Sequence, residues 1–210
     1  MPVDTLIRLS MRLKRVVEVS GRAGAIFILP LVFVTIWDVL IRKIGGVQYW
    51  LVQRFGAAFE STVLQELEWH FHTALFVSVL GYAFVNNRHV RVDLVREKLS
   101  FRKQAWIEFL GCTFFMIPYC LLVIYFAWDF AYRAFWIGEA SAAAVGLGHR
   151  WIIKTVLVIG MGVALLSGVA VWLQTVLVLF GPKDLRFDLM TLEWPEEQAR
   201  KRRVRAESGI

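Results

Sequence analysis

The sequence predicts an all-α integral membrane protein with four transmembrane helices, both termini in the cytoplasm, and amphipathic helices at the membrane surface. Hydrophobic residues make up 58% of the 210 positions. Four apolar runs are each about 19 residues or longer, the length of helix that crosses ~30 Å of hydrocarbon. Backbone groups in lipid must be hydrogen-bonded internally, so the runs are predicted to be helices. They cover residues 23–41, 67–85, 106–128 and 152–180.

The positions of the basic residues predict the orientation. Of the 24 lysines and arginines, five precede the first run, six lie between the second and third runs, and seven follow the fourth. Three lie between the first and second runs, and three lie between Asp129 and Lys154, the last of them inside the fourth run. Because cytoplasmic segments are enriched in Lys and Arg, both termini and the middle loop are placed in the cytoplasm. Basic residues beside a membrane also bind anionic lipids, so the net charge of +7 needs no nucleic-acid partner.

Residues 1–22 are predicted to form a basic amphipathic segment ahead of a membrane domain of residues 23–180. Apolar and basic side chains occupy opposite faces, which favours a helix on the cytoplasmic leaflet; a solvated helical extension is the alternative. The first apolar run is too long for a cleaved signal peptide and is expected to be a retained anchor. Asp38 and Arg42, four residues apart near its end, are expected to pair.

Polar and aromatic residues open the second membrane helix. Residues 47–60 are only partly apolar and are predicted to form an interfacial helix on the periplasmic surface. Glu66 and Glu68 follow in the first turns of the next helix, where carboxylates complement the helix dipole. Trp69 suits the depth of the lipid headgroups. Glu66 and Trp69 are therefore candidates for an anchor or a partner contact.

A charged hinge follows the second span. Its candidate partner-contact residues lie within six positions of one another: Arg88, His89, Arg91 and Asp93. One interpretation is a cytoplasmic loop that obeys the positive-inside rule. The other is a hinge that docks a partner protein.

The third span contains Pro118, which is expected to kink it. In the loop that follows, Glu139 and Ser141 are candidates for a contact on the periplasmic face.

The fourth span is predicted to pack closely against another helix. Gly160, Ala164 and Gly168 recur at four-residue steps, a stripe of small residues that permits close approach. Residues 181–210 are predicted to be a charged cytoplasmic tail, either disordered or helical only on the surface.

The predicted spans lack the ionisable groups that a transport pathway usually needs near the bilayer midplane. Their midpoints fall near Leu31, Phe76, Ile117 and Leu166, and no Asp, Glu, Lys, Arg or His lies within about one turn of any of them. Such a bundle is poorly equipped to move a solute alone, and it is predicted to be a partner of another protein and not an enzyme. The enzymatic alternative is a haem-binding anchor. The four histidines are poorly placed for it, so no cofactor or metal is expected.

Several motifs resemble those of the small membrane subunit, of DctQ type, of tripartite ATP-independent periplasmic (TRAP) transporters. The resemblance covers roughly residues 23–180. It is carried by Arg42, by Leu64-Gln65-Glu66-Leu67-Glu68-Trp69 with Gly81-Tyr82-Ala83, by His89-Val90-Arg91-Val92-Asp93, and by Glu139-Ala140-Ser141 with Gly146-Leu147 and Trp151-Ile152-Ile153-Lys154. The chain departs from the family where related sequences often carry a proline near Gly148, and in its long basic tail.

The resemblance implies a complex in the bacterial inner membrane with a large multi-span transport subunit and a periplasmic solute-binding protein. Such complexes import organic acids and related solutes with an ion gradient, typically of sodium. The small subunit would brace the large one and help dock the receptor. The alternative is a self-contained channel or small exporter, which would have to form homo-oligomers through Gly160, Ala164 and Gly168.

Overall fold

The computed structural model describes residues 3–88, 99–182, 184–197 and 199–200, and these residues form helices and loops with no β-strand. The helices are α1 Val3–Ala25, α2 Ile28–Lys43, α3 Val47–Phe55, α4 Ser61–Val85, α5 Phe101–Gly111, α6 Ile117–Trp136 and α7 Trp151–Phe180. A 3₁₀ turn at Ala57–Phe59 precedes α4, and a π-helical turn at Cys112–Met116 joins α5 to α6.

Three helical segments are long and apolar enough to cross a membrane. They are Val3–Lys43, Phe101–Trp136 and Trp151–Phe180, which contain the first, third and fourth predicted spans. The second predicted span, residues 67–85, lies within α4. That helix is 25 residues long, but two glutamates and two histidines make its first half polar. The protein is therefore an all-helical membrane protein with three clearly apolar spanning segments.

α4 and α7 lie at the centre of the bundle and form its most extensive helix contact. α1 and α2 run antiparallel to α4, and α6 runs antiparallel to α7. The bundle thus has two ends. We call them the Glu66 end, where α4 and α7 begin, and the Val85 end, where both helices finish.

α1 packs into the bundle before the predicted start of the first span at residue 23. Val17 is fully buried in a cluster with Val85 of α4 and Val171 of α7. Gly21 lies against Tyr82, and a Cβ atom at Gly24 would collide with Ser78. Gly21 and Gly24 thus let α1 approach α4 closely, and the contacts between the two helices begin before residue 23.

The packing of α1 on α4 also places one charge deeper in the membrane region than the sequence predicted. Arg22 is exposed beside Gly21, at the level of Tyr82 and therefore within the stretch of α4 predicted to span the membrane. A long arginine side chain can extend toward the headgroups while its aliphatic part stays in the apolar region.

The π-helical turn lies immediately before Pro118, where a kink was expected. Thr113 in this turn donates a hydrogen bond to the carbonyl of Phe109 at 2.7 Å. The indole N–H of Trp172 on α7 donates to the Thr113 hydroxyl at 2.9 Å. A π-helical turn leaves backbone groups without their usual partners, and such turns often occur where a helix must meet another group. Here the turn itself is joined to α7 by a hydrogen bond.

Part of the predicted tail folds back onto the Val85 end as an ordered strap, which we define as residues 184–194. Met190 and Leu192 are buried against α1, α4, α5 and α7. The amide of the buried Gln174 bonds the strap twice: its NH₂ group donates to the Asp188 carbonyl at 3.0 Å, and its oxygen accepts from the Met190 N–H at 2.9 Å. The prediction of a disordered or surface tail is therefore wrong for these residues, because Gln174 satisfies their backbone and apolar side chains fill the bundle end.

Replacing Gln174 with alanine is expected to release the strap. The substitution removes two hydrogen bonds of about 1 kcal/mol each and leaves the Met190 N–H unpaired in a buried site. Limited proteolysis should then cleave residues 184–194 much faster than in the wild type. Gln53→Ala is the matched control, since that exposed amide bonds only the Tyr49 hydroxyl. Equal cleavage of both variants would show that Gln174 does not hold the strap.

Candidate functional site

A network of polar side chains joins three elements at the Glu66 end of the bundle. Glu66 comes from the second turn of α4, and its partners come from the loop between α6 and α7 and from the start of α7. Gly138 ends α6 in the left-handed conformation (φ 62°), and the Glu139 N–H donates to the Ala134 carbonyl at 2.9 Å. This is the usual way for glycine to terminate a helix and turn the chain. It directs the loop back toward α4.

Glu66 is the centre of what we call the Glu66 lock: the Glu66 carboxylate with the Ser141 hydroxyl, the Leu147 N–H and the Arg150 guanidinium. Ser141 donates to Oε1 in a very short hydrogen bond. The Leu147 N–H donates to Oε2 at 2.6 Å, and Arg150 Nη2 donates to Oε1 at 2.7 Å. Both oxygens of a buried carboxylate are thus occupied, which matches the ionised form of the acid.

The loop is shaped to deliver these donors. Ser141 donates its backbone N–H to the Leu147 carbonyl at 3.0 Å, and the Arg150 N–H donates to the Glu139 carbonyl at 3.1 Å. Gly146 packs directly against the Ser141 side chain, and a Cβ at this position would collide with it. Any larger residue at position 146 would displace Ser141 from Glu66.

Trp69 lies one helical turn after Glu66 and covers the lock. The guanidinium carbon of Arg150 lies 5.6 Å from the centre of the Trp69 ring, within the range of a cation–π contact. Arg150 therefore contacts an anion and an aromatic face at the same time. Two residues that the sequence suggested for separate roles, Trp69 and Ser141, belong to one structural unit.

A second ion pair lies beside the lock. Lys154, which is nearly buried on α7, pairs closely with Glu139 of the loop. Its ammonium group also lies 3.4 Å from the centre of the Phe130 ring on α6. The pair therefore ties the loop to α6 and α7.

The predicted Asp38–Arg42 pair is confirmed and has a third member. Asp38 Oδ2 and Arg42 Nη2 are 2.5 Å apart, and Asp38 is completely buried. Its other carboxylate oxygen accepts a hydrogen bond of 2.8 Å from Ser61, the first residue of α4. This contact fixes the end of α2 to the start of α4.

Arg88, the one residue of the charged hinge that the structure describes, is not near Glu66 and Trp69. It is exposed at the opposite end of α4, where its backbone N–H donates to the Ala83 carbonyl at 2.8 Å. His89, Arg91 and Asp93 lie outside the described residues.

The small residues of α7 face inward within this single chain. Gly160 is packed against Val77 of α4, and Gly168 against Met116 of the π-helical turn. Ala164 is 1% exposed, in a cluster with Cys120 of α6 and Met161. Homo-oligomerisation through this stripe, which a self-contained channel would require, is blocked because α4 and the α5–α6 helix already cover it.

Arg150 and Ser61 were missed as site residues by reasoning from the sequence. Arg150 lies 84 positions from Glu66 along the chain, in a loop whose path the helix pattern does not determine. One signal was present: Arg150 is one of only two Lys and Arg residues between the third and fourth predicted spans. A basic residue on the side of the membrane that carries few Lys and Arg residues is expected to have a structural role.

The described residues contain no group of three or more His, Cys, Asp and Glu side chains placed to hold a metal ion. Glu66 pairs with Arg150, Glu139 with Lys154, and Asp38 with Arg42. Chemically, the arrangement can hold a loop rigidly against two helices.

Comparison with protein families gives one match. The model of the family described as tripartite ATP-independent periplasmic transporters, DctQ component, matches residues 31–178. This range includes the Glu66 lock, the hinge and the inward-facing stripe of α7. No curated protein and no solved structure matches the chain.

Proposed function

The chain belongs to the DctQ family, the small membrane subunit of TRAP transporters, and from this premise we propose that it braces the large transport subunit and helps to dock the periplasmic solute-binding protein. In this role it contacts both proteins and membrane lipids, and no nucleic acid. It is non-catalytic and needs no cofactor. The complex imports an organic acid or a similar solute with an ion gradient, which is a sodium gradient in keeping with the family resemblance.

The proposal includes a four-span topology in the bacterial inner membrane. α4 is the additional span, with the Glu66 end in the periplasm and both termini in the cytoplasm. Two features support this orientation. Eighteen of the 24 Lys and Arg residues belong to segments at the Val85 end or beyond it. α4 also contacts spanning segments that come before and after it in the sequence, and Glu66 in its polar first half is buried within the Glu66 lock.

The observation that carries the bracing role is the Glu66 lock. Glu66 accepts three hydrogen bonds from the loop and from α7, and these occupy both of its carboxylate oxygens. Within the lock, Arg150 Nε is the buried atom to which the described residues supply no hydrogen-bond partner. The bonds that are made join three elements and hold the loop rigidly against both helices. A rigid periplasmic end suits a subunit that supports partner proteins while they change conformation.

Within this role, Glu139 and Ser141 shape the periplasmic surface on which the solute-binding protein docks. The hinge residues Arg88, His89, Arg91 and Asp93 contact the large subunit at the cytoplasmic end. The alternative for the hinge, a loop that only obeys the positive-inside rule, predicts no effect of these residues on assembly.

Co-expression with the large subunit and purification in mild detergent tests the proposal. The two membrane proteins should elute together in a fixed ratio. Liposomes that contain both, supplied with the solute-binding protein, should accumulate solute under a sodium gradient. Liposomes that contain this chain alone should show no uptake above empty liposomes. Uptake by the chain alone, or elution of the two proteins apart, would refute the bracing role.

A further inference from the structure

α6 has two opposite seams of side chains, and only one of them is covered by this chain. The inner seam, Cys120, Ala127, Ala131 and Ala134, is buried on α7. We define the outer seam as Tyr119, Leu122, Phe126, Asp129 and Arg133 of α6, together with Phe115 of the π-helical turn that leads into it. These residues follow one another at alternating steps of four and three, which is the spacing of a surface that packs along another helix.

We propose that the outer seam of α6 is the surface of this chain that binds a membrane-spanning helix of the large transport subunit. This inference rests on the proposed function and assigns its contact surface. The partner helix is expected to be apolar, to present a hydrogen-bond acceptor opposite Tyr119, and to carry polar or charged groups opposite Asp129 and Arg133.

The depth of Tyr119 is the first argument for a protein partner instead of lipid. Residues 109–128 contain no Asp, Glu, Lys, Arg or His, and Glu108 and Asp129 flank them. This stretch has the length of about 20 residues that crosses the hydrocarbon. Tyr119 lies at its middle, about 15 Å from either edge, too far for a tyrosine hydroxyl to reach the headgroups.

The Tyr119 hydroxyl is the second argument. The side chain is 63% exposed, and its hydroxyl has no hydrogen-bond partner in the part of the chain that the structure describes. Shorter hydroxyl residues on the spanning helices solve the same problem within their own helix: Thr35 donates to the Leu31 carbonyl, and Ser167 to the Ala164 carbonyl. A tyrosine hydroxyl is held too far from its own backbone to do so. An unpaired hydroxyl in hydrocarbon is unfavourable, so another protein must supply the acceptor.

The composition of the two edge helices is the third argument. In the part of the chain that the structure describes, α7 is the only helix with which α6 makes extensive contact, apart from the adjoining π-helical turn. Its uncovered surface is rich in large aromatic side chains, including Phe115 and Phe126. α2 is also an edge helix, but its exposed residues are mostly aliphatic. Lipid chains are as apolar as leucine, so the aliphatic surface of α2 suits lipid.

The end of the outer seam has the polar character of an interface rim. Asp129 and Arg133 form an ion pair of 2.9 Å. The Asp129 side chain is 49% exposed, and the Arg133 side chain is 75% exposed. The pair lies at the depth where a charge of a partner helix could join it. A lipid-facing helix gains nothing from placing an aspartate there.

Photo-crosslinking in the intact complex tests the assignment. p-Benzoylphenylalanine replaces Phe115 or Phe126 on the outer seam, or Phe33 on α2, which is an exposed phenylalanine of similar accessibility. Irradiation should link positions 115 and 126 to the co-expressed large subunit at least fivefold more efficiently than position 33. Equal or stronger linking from position 33, or links only between two copies of this chain, would overturn the assignment.

The hydroxyl group is tested separately by removing it. Tyr119→Phe should weaken the association of the two subunits about two- to tenfold, the loss expected from one hydrogen bond. Tyr125→Phe is the matched control, because Tyr125 is exposed on α6 but lies off the outer seam. Equal affinities of the two variants would overturn the role of Tyr119. If the two subunits do not associate in the wild type, the proposed function itself fails, whereas association with no effect at the seam refutes only this inference.

Discussion

Replacing Glu66 with alanine is expected to lower the free energy of unfolding by about 3–5 kcal/mol, the usual cost of removing one member of a buried ion pair. The substitution leaves the Arg150 guanidinium, the Ser141 hydroxyl and the Leu147 N–H without their acceptor. Arg150 would then be a partly buried positive charge held over Trp69. Reversible unfolding in mixed detergent micelles gives the free energy, and loss of the loop should also expose residues 139–149 to protease.

Glu68→Ala is the matched control, since Glu68 lies two residues further along the same helix and makes no hydrogen bond or ion pair in the described part of the chain. Its effect should stay within about 0.5 kcal/mol. Glu66→Gln, which keeps one acceptor oxygen, should fall between the two. If Glu66→Ala is no more harmful than Glu68→Ala, the lock does not stabilise the Glu66 end.

Gly160→Ala is expected to destabilise the bundle by about 1–3 kcal/mol, the usual cost of forcing an added group into a packed core. A Cβ atom at this position would lie 2.6 Å from the Val77 Cβ and 2.9 Å from the Val77 carbonyl oxygen. The backbone oxygen cannot move aside without shifting α4. The substitution should therefore separate α4 from α7, the most extensive contact of the fold.

Gly162→Ala gives the comparison on the same helix, because a Cβ there meets no atom within 4 Å. In a helix interior, alanine is favoured over glycine by up to ~1 kcal/mol, so this variant should be neutral or more stable. In the same unfolding measurement, Gly160→Ala is thus expected to lower the free energy of unfolding, and Gly162→Ala to leave it unchanged or raise it. Equal effects would mean that the contact at Val77 is not tightly packed.

The helices were predictable because hydrocarbon imposes a simple rule on length and polarity. The apolar runs at 106–128 and 152–180 lie inside the helices Phe101–Trp136 and Trp151–Phe180. The family resemblance read from the motifs is confirmed by the match over residues 31–178. The pairing of Asp38 with Arg42 was predictable because both belong to one helix, where a spacing of four fixes their separation.

Contacts between distant segments were not predictable in the same way. The basic face of α1 indicated a surface helix, and nothing in that pattern showed that Gly21 and Gly24 would meet α4. The charge of the tail concealed Met190 and Leu192, which are buried in the strap. The Glu66 lock depends on the path of a loop, and loop paths are set by glycine conformation and by packing instead of by periodicity.

The π-helical turn at Cys112–Met116 sets the phase of the whole membrane helix around it. Small or buried side chains that meet α7 occur at Ala105 and Cys112, seven residues apart, and again at Cys120, Ala127 and Ala134 with the same interval. Between Cys112 and Cys120 the interval is eight, so one additional residue is wound into the turn. A residue rotates an α-helix by about 100°, and without the additional one the half after the turn would point its alanines away from α7. One extra residue in a single turn thus decides which side of α6 faces α7 and which side this chain leaves uncovered.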